Sequence, residues 1–273
     1  MSDLSLAQVV LSAFISVVVL AIATRRGFFT LPYEEAEREY PTLILVLGAF
    51  GLYLVGGYFI PLLFLKYGQG VGFAKISWLS FITSVVILAA LIGYSRVIPR
   101  PIWNDLWGRK KVRESIIFAL LAWVVAFPLV VFVGQLLTGL IYLFFHTFEL
   151  PDQIAIRLIK MSFHHPFLLI LNGISVVCFA PIIEEILFRG FLQSYFCRFF
   201  SKYGAIGVAS AFFALFHFSK QQGLGNIPLL GSLFVFSCFL GFVYERQRSL
   251  PASMMLHATF NFLSIASLYF LSD

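Results

Sequence analysis

Charged residues are scarce in this chain. Asp, Glu, Lys and Arg make up 12% of its 273 residues, whereas they make up roughly 25% of an ordinary soluble domain. Hydrophobic residues make up 60%, and the chain contains 33 phenylalanines. A protein with so few charges cannot cover its surface with groups that water solvates well. The composition therefore excludes a water-soluble globular domain.

Cysteine is also rare, and several common catalytic signatures are missing from the sequence. The three cysteines, Cys178, Cys197 and Cys238, show no C-x-x-C spacing and are expected to be buried free thiols. The sequence has no H-E-x-x-H metal helix, no G-x-S-x-G-like nucleophile and no Gly-x-Gly-Asp segment. These absences exclude the sites that such signatures mark.

The apolar residues occur in long runs. A helix of about 20 residues, at about 1.5 Å each, crosses roughly 30 Å of hydrocarbon and satisfies its own backbone groups there. We therefore predict an all-α fold, a polytopic transmembrane helical bundle that forms one membrane domain over residues 1–273. Residues 1–145 are expected to form generic N-terminal helices, and residues 166–271 a core that carries the polar motifs. The predicted spans, about eight, are 4–23, 42–65, 76–94, 115–145, 166–193, 204–220, 228–244 and 251–271.

Lys and Arg are distributed unevenly between the connections. Thirteen of the 19 lie in segments 24–41, 95–114, 194–203 and 245–250, which share one side of an eight-span bundle. Cytoplasmic loops are enriched in Lys and Arg, so both termini are predicted to face away from the cytoplasm. Basic loops near anionic lipid account for the net charge of +6. No nucleic-acid partner is expected.

Two acids and one arginine interrupt the fifth span, where an ionisable group costs about 2.5 kcal/mol or more. Glu185 and Arg189 in APIIEEILFRG have i, i+4 spacing, which predicts a structural ion pair. Glu184 is rotated from Glu185 by about 100° and remains the unpaired acid. An unpaired carboxylate in low dielectric suits general base or acid work. A passive, protonated glutamic acid is the alternative.

Later spans contain the other polar groups. His217 in FFALFHF, taken alone, is more typical of a hydrogen-bonded packing residue than of a ligand. His257 and Asn261 in LHATFN share a helix face at i, i+4 spacing and form a two-donor surface suited to an oxyanion. Such a pair is equally suited to joining two helices. Solvated positions in a connection are predicted for His146, His164 and His165.

Together these motifs resemble a known family. Glu-Glu-x-x-x-Arg, Phe-x-x-x-His and His-x-x-x-Asn lie on the fifth, sixth and eighth predicted spans, and Ala180-Pro181 and Phe188-Arg189-Gly190 accompany the first motif. The combination resembles the CAAX-protease and bacteriocin-processing (CPBP) family of intramembrane proteases over about residues 166–265. The resemblance implies an endopeptidase whose catalytic residues are Glu184, His217, His257 and Asn261, with Glu185 and Arg189 in support.

Two catalytic schemes follow from the resemblance. In the first, Glu184 and His217 activate a water that attacks the scissile carbonyl, while His257 and Asn261 stabilise the oxyanion. In the second, Glu184, His217 and His257 bind zinc, and the zinc-bound water attacks. The first scheme is favoured because asparagine is a poor zinc ligand and Asn261 pairs naturally with His257 as a donor.

Functions other than proteolysis are compatible with the same sequence. The fold suits a non-proteolytic membrane scaffold or a bacteriocin-immunity protein, although the intact motifs argue against both. A proton-coupled transporter ranks third, because intramembrane carboxylates mark ion pathways but no inverted repeat is evident.

The expected partners are the lipid bilayer and a peptide or membrane-protein substrate, prenylated only where the host prenylates proteins. Short connections favour a bacterial inner membrane, with the endoplasmic reticulum as the alternative in a eukaryote.

The depths of Glu184 and His217 in the membrane pose a geometric difficulty. In straight, upright helices Glu184 would lie near the cytoplasmic end of its span and His217 near the outer end of the next. A kink at Pro181 or a tilted helix is then needed for them to meet.

Overall fold

The computed structural model describes residues 6–32, 39–67, 72–107, 112–145 and 150–270, which form ten helices and no strand. The all-α prediction is confirmed. Short 3₁₀ turns cover Ser95–Val97 and Lys220–Gly225. The helices are α1 (Leu6–Arg25), α2 (Leu43–Tyr67), α3 (Phe73–Tyr94), α4 (Arg100–Trp107), α5 (Val112–Phe145), α6 (Ile154–Ser162), α7 (Pro166–Phe196), α8 (Lys202–Phe216), α9 (Asn226–Gln247) and α10 (Leu250–Phe270).

Six of these helices, α1, α2, α3, α5, α7 and α9, have the length and apolar composition that crossing a membrane requires. The polytopic bundle is therefore confirmed, with six such helices among the described residues where about eight were predicted. The predicted span 204–220 corresponds to α8, whose 15 residues reach only about 22 Å. The predicted span 251–271 corresponds to α10, where His257, Asn261 and several serines reduce the hydropathy.

Two clusters of buried apolar side chains hold the bundle together. The first joins α2, α3 and α4 to α7, with Ile87, Leu106 and Leu187 among its members. The second joins α5 to α1, α8, α9 and α10, with Val125 and Leu240 among its members. Both clusters combine helices from before and after residue 145, so the N-terminal helices pack directly against the segment that carries the motifs.

Helix α7 is irregular around its proline. Two π-helical segments, Ser175–Phe179 and Ile186–Gln193, flank a regular α-helical stretch over Ala180–Glu185. Proline lacks the N–H that an α-helix needs and crowds the preceding turn, and a wider π turn before Pro181 relieves that crowding. Single-turn π segments are frequent at functional sites. Both glutamates lie on the stretch between the two π segments.

Buried side-chain amides fix α7 against its neighbours. Gln193 donates from Nε2 to the Gly241 carbonyl at 3.1 Å and to Glu245 Oε1 at 3.2 Å, which joins α7 to α9. Asn172 donates from Nδ2 to Ser77 Oγ at 3.0 Å and to Ser162 Oγ at 2.9 Å, which joins α7 to α3 and α6. These contacts position α7 at both of its ends.

The cysteines and loop histidines lie largely at the periphery. All three cysteines are free, as predicted, but Cys178 is exposed, and Cys197 and Cys238 are half-buried. The prediction that they are buried was wrong, because apolar positions of a membrane bundle face lipid as readily as its interior. His164 and His165 are exposed, as predicted, and His146 lies outside the described residues.

Candidate active site

The structure brings Glu184 together with both predicted imidazoles. Glu184 Oε2 lies 4.0 Å from His217 Nε2 and 3.9 Å from His257 Nε2. The Glu184 and His217 side chains are 20% and 28% exposed, whereas that of His257 is 6% exposed. One carboxylate oxygen therefore faces two imidazoles. Glu184 and His217 are partly exposed, whereas His257 is buried.

Helix lengths explain how Glu184 and His217 meet. Twelve residues separate Glu184 from the end of α7 at Phe196, and fifteen separate Lys202, the start of α8, from His217. At about 1.5 Å per residue these distances are about 18 and 22 Å from the same end of the bundle. The two residues meet, and α7 is not a straight α-helix between them and its end, since π-helical segments lie on both sides of Ala180–Glu185.

Each imidazole has a partner for Nδ1 that fixes its orientation. His217 Nδ1 lies 2.8 Å from the Phe213 carbonyl oxygen, and His257 Nδ1 lies 2.9 Å from Glu185 Oε1. A carbonyl and a carboxylate only accept hydrogen bonds, so both Nδ1 atoms carry a proton. Both Nε2 atoms consequently point towards Glu184.

The predicted ion pair between Glu185 and Arg189 is present. Arg189 Nε lies 3.1 Å from Glu185 Oε2, and both side chains are fully buried. The guanidinium carbon also lies 4.9 Å from the centre of the Phe213 ring, a favourable cation–π arrangement. Because Glu185 Oε1 accepts from His257, Glu185 joins the ion pair to the imidazole. The sequence did not indicate this second contact.

Asn261 contacts backbone rather than the acids. Its Nδ2 donates to the Val176 carbonyl at 2.9 Å. In a π turn the i+5 partner of this carbonyl would be residue 181, which is proline and has no N–H. Asn261 satisfies a backbone group that Pro181 leaves without a donor, and its second amide hydrogen remains. The contact joins α10 to α7, the alternative role considered for this residue pair, although the Val176 carbonyl was not predicted as the partner.

A cavity of about 360 Å³ opens onto Glu184 from between α2, α3 and α7. Tyr53 of α2 lines it, close enough to Glu184 for electrostatic interaction, and its ring centre lies 5.5 Å from that of Phe216. Sequence reasoning missed Tyr53 because one tyrosine in an aromatic-rich span carries no distinctive signal.

In this arrangement Glu184 lies further from each imidazole than two ligands of one zinc lie from each other. Two ligands bound to one tetrahedral zinc at about 2.0–2.1 Å lie about 3.4 Å apart, whereas Glu184 Oε2 is 3.9 and 4.0 Å from the two imidazole nitrogens. Among the described residues, no group of three His, Cys, Asp or Glu side chains has the spacing of a metal site.

Six long apolar helices define a multi-pass membrane protein, and a carboxylate between two imidazoles forms a partly exposed acid–imidazole site within it. The family model for Type II CAAX prenyl endopeptidase Rce1-like matches residues 166–263. The match includes all three motifs, so the predicted family resemblance is confirmed. Comparisons with curated proteins and with solved structures gave no match. The family match indicates a CAAX-protease-like intramembrane endopeptidase.

Proposed function

We propose that this protein hydrolyses a peptide bond within the membrane with a water that Glu184 and His217 activate. The observation that carries the proposal is the convergence of both His217 Nε2 and His257 Nε2 on Glu184 Oε2, at 4.0 and 3.9 Å. Polar groups on three separate apolar helices each carry a cost in lipid, and mutual contact offsets that cost.

The gap between Glu184 and His217 suits one bound water. A water about 2.8 Å from each atom fits between Glu184 Oε2 and His217 Nε2, which are 4.0 Å apart. Since His217 Nδ1–H donates to the Phe213 carbonyl, Nε2 is free to accept. His217 Nε2 accepts a hydrogen bond from the water, Glu184 takes one proton from it as the oxygen attacks the scissile carbonyl, and the Glu184 carboxyl then gives that proton to the departing amine as the C–N bond breaks.

His257 supplies the stabilisation of the oxyanion. Its Nδ1–H donates to Glu185, which holds the ring with Nε2 directed at the site, where it donates to the oxyanion once it has taken up a proton. The second amide hydrogen of Asn261 is an additional donor, and one such donor typically contributes about 10²–10³ in rate.

Glu184→Gln tests the proposal, because it keeps the size of the side chain and removes the base. The variant should lose at least about 10²-fold in rate while its melting temperature stays at the parent value. Two quenched-fluorescent peptides serve as probes in lipid vesicles: an apolar peptide without modification, and one ending in a farnesylated cysteine and three further residues. His164→Gln, at an exposed position, is the matched control.

Cleavage of either probe by Glu184→Gln at the parent rate would exclude glutamate catalysis and favour the scaffold or immunity function. Comparison of the two probes identifies the substrate class. A preference for the farnesylated peptide indicates a prenyl-protein substrate, and equal or better cleavage of the unmodified peptide indicates an ordinary peptide or membrane protein.

A chelation experiment tests the metal-free scheme. Since Glu184 lies further from each imidazole than two ligands of one zinc lie from each other, we expect the purified protein to keep its activity after treatment with a strong zinc chelator. The measurements are the rate before and after treatment and the zinc content of the protein. Activity lost with chelator, restored by zinc and accompanied by about one zinc per chain would show that His217 and His257 are metal ligands.

A further inference from the structure

His217 lies just past the end of α8, where the helix itself constrains the backbone least. The helix ends at Phe216, and His217 has φ −92° and ψ 3°, outside the regular α-helical range. Its N–H donates to the Ala214 carbonyl at 3.0 Å, three residues earlier instead of four. The carbonyl groups of a last turn have no onward partners within the helix. The position of the His217 imidazole therefore depends on what holds the chain beyond it.

Asn226, the first residue of α9, holds the chain beyond His217. Asn226 Oδ1 accepts from the Ser219 N–H at 3.1 Å, and Asn226 Nδ2 donates to the Ser219 carbonyl at 2.8 Å. Nδ2 also donates to the Gly223 carbonyl at 3.0 Å. The side-chain amide thus binds both backbone groups of Ser219 and uses both of its amide hydrogens. Because Asn226 is only 5% exposed, water competes little for these bonds.

These three hydrogen bonds close the connection between α8 and α9. Ser219 is extended, with φ −137° and ψ 128°, and it follows His217 by two residues. The two helices are themselves in close contact, since a Cβ on Gly241 of α9 would lie 3.2 Å from Ile206 Cγ2 of α8. Asn226 extends this fixed arrangement of the two helices to the backbone next to His217.

We propose that Asn226 is a positioning residue of the site, which fixes the backbone at Ser219 and so keeps the His217 imidazole 4.0 Å from Glu184 Oε2. This inference rests on the proposed function and deepens it. The bond from His217 Nδ1 to the Phe213 carbonyl sets the rotation of the ring but does not fix the chain after it. A displacement of about 1 Å can cost about 10²-fold in rate, and the gap between the two side chains suits a single water.

The hydrogen bonds of Asn226 lead only to backbone groups, those of Ser219 and Gly223. Its amide has no proton to transfer and brings no charge to the site. The residue therefore acts through His217, which works on the water and not on the binding of substrate. Loss of Asn226 should lower kcat and leave KM largely unchanged.

Asn226→Ala removes all three hydrogen bonds and tests this role with the peptide probes in lipid vesicles. We expect kcat to fall about tenfold and KM to stay within about twofold of the parent value. Asn172→Ala is the matched control, because Asn172 is also a buried asparagine and donates to Ser77 and Ser162 at 3.0 and 2.9 Å. The control should lower the melting temperature by a similar amount but kcat by less than about twofold.

Asn226→Asp is the conservative variant. A carboxylate in the first turn of a helix is favoured by the helix dipole, so this variant should fold. One oxygen still accepts from the Ser219 N–H, but the ionised carboxylate cannot donate to the two carbonyls. We expect its kcat to lie between those of the parent and Asn226→Ala.

Nitrogen NMR of isotope-labelled histidine measures the same effect without requiring cleavage. The chain has five histidines, and His217→Gln identifies the signals of His217 in lipid vesicles. Asn226→Ala should shift or broaden those signals and leave the His257 signals in place. Asn172→Ala should leave both sets unchanged.

Three results would overturn the proposal: a parent-like kcat for Asn226→Ala, equal losses of kcat in Asn226→Ala and Asn172→Ala, or a change confined to KM. His217 signals that Asn226→Ala does not alter would overturn it as well. If the parent protein cleaves neither probe, proteolysis is wrong, and the NMR comparison alone decides whether Asn226 positions His217. If the parent cleaves and Asn226→Ala changes neither kcat nor the signals, proteolysis stands and the positioning role is wrong.

Discussion

Arg189 illustrates how one buried charge serves both the fold and the site. Its side chain is fully buried, and NH1 and NH2 have no hydrogen-bond partner among the described residues. Its neutralising partner is Glu185, at 3.1 Å, and the Phe213 ring faces the guanidinium. Because Glu185 also accepts from His257, Arg189 holds the carboxylate that orients an imidazole of the site.

At the residue scale, removing Arg189 should cost stability as well as activity. Arg189→Ala leaves Glu185 as an unpaired buried charge, which destabilises a protein by about 3–5 kcal/mol. Replacing the whole pair, Glu185→Leu with Arg189→Met, removes both charges and should recover most of the melting temperature. Activity should stay low in the double variant, because His257 has lost the acceptor for Nδ1. Thermal unfolding and peptide cleavage are measured on the same detergent-solubilised samples.

Two outcomes of this comparison would contradict the structural role of the pair. An Arg189→Ala protein with the parent melting temperature and a slow rate would place Arg189 in substrate binding. A double variant with parent activity would show that His257 does not depend on Glu185.

Residue spacing accounts for the part of the site that could be predicted. The i, i+4 rule identifies Glu185 and Arg189 as a pair, and the 100° rotation singles out Glu184. No local rule relates Glu185 to His257, 72 positions apart. Nor does any rule indicate that Asn261 satisfies the Val176 carbonyl, because that contact depends on how α10 packs against the π turn before Pro181.

At the scale of elements, the sequence located the helices but did not locate their ends. Hydropathy located α7 but ended its span at residue 193, three residues before the helix ends. The helix reaches Phe196, and the short α8 starts at Lys202 with Ser201 Oγ accepting from the Gly204 N–H. From these ends Glu184 and His217 lie at about 18 and 22 Å along their helices. A few polar capping residues set the ends of a helix, and a hydropathy value averaged over a whole span does not detect them.

Helices α2 and α3 show a second limit at this scale. Sequence patterns described residues 1–145 as generic, since lipid-facing and cavity-facing positions of a span are both apolar. The structure places Tyr53, Gly57 and Thr83 around a cleft that ends at Glu184. Their role depends on which side of each helix faces α7, and tertiary packing alone determines that.

For the whole molecule, the basic segments gather at one end of the bundle. Four hydrogen bonds connect residues that lie in, or directly next to, segments 24–41, 95–114, 194–203 and 245–250. They are Tyr203 Oη to the Phe29 carbonyl at 2.9 Å, Lys202 Nζ to the Pro32 carbonyl at 3.1 Å, Arg246 NH1 to Thr30 Oγ1 at 2.8 Å, and Ser115 Oγ to Ser249 Oγ at 3.4 Å. Nine basic residues of these segments lie in the part of the chain that the structure describes, and they are therefore found at one end of the bundle: Arg25, Arg26, Arg96, Arg100, Arg113, Arg198, Lys202, Arg246 and Arg248.

That end also contains α4, within a segment that was predicted as a plain connection. Ile102 and Leu106 of α4 are buried, while Arg100 is exposed. Trp103 and Trp107 lie with their ring centres 5.4 Å apart. A short amphipathic helix with two tryptophans is typical of the membrane–water interface, so α4 marks the membrane surface at the basic end.

The basic end should face the cytoplasm, with both termini on the opposite side, because Lys and Arg are retained in cytoplasmic connections. This prediction requires α10 to cross the membrane, because Arg246 at the end of α9 contacts Thr30 at the basic end. In a bacterial inner membrane, alkaline phosphatase fused after Asp273 should be active and a fluorescent reporter at the same site should be dark. A fluorescent reporter fused after Arg113, in the basic segment, should be bright and serves as the control. A bright reporter after Asp273 together with inactive phosphatase would invert the topology and place Glu184 nearer the opposite face of the membrane.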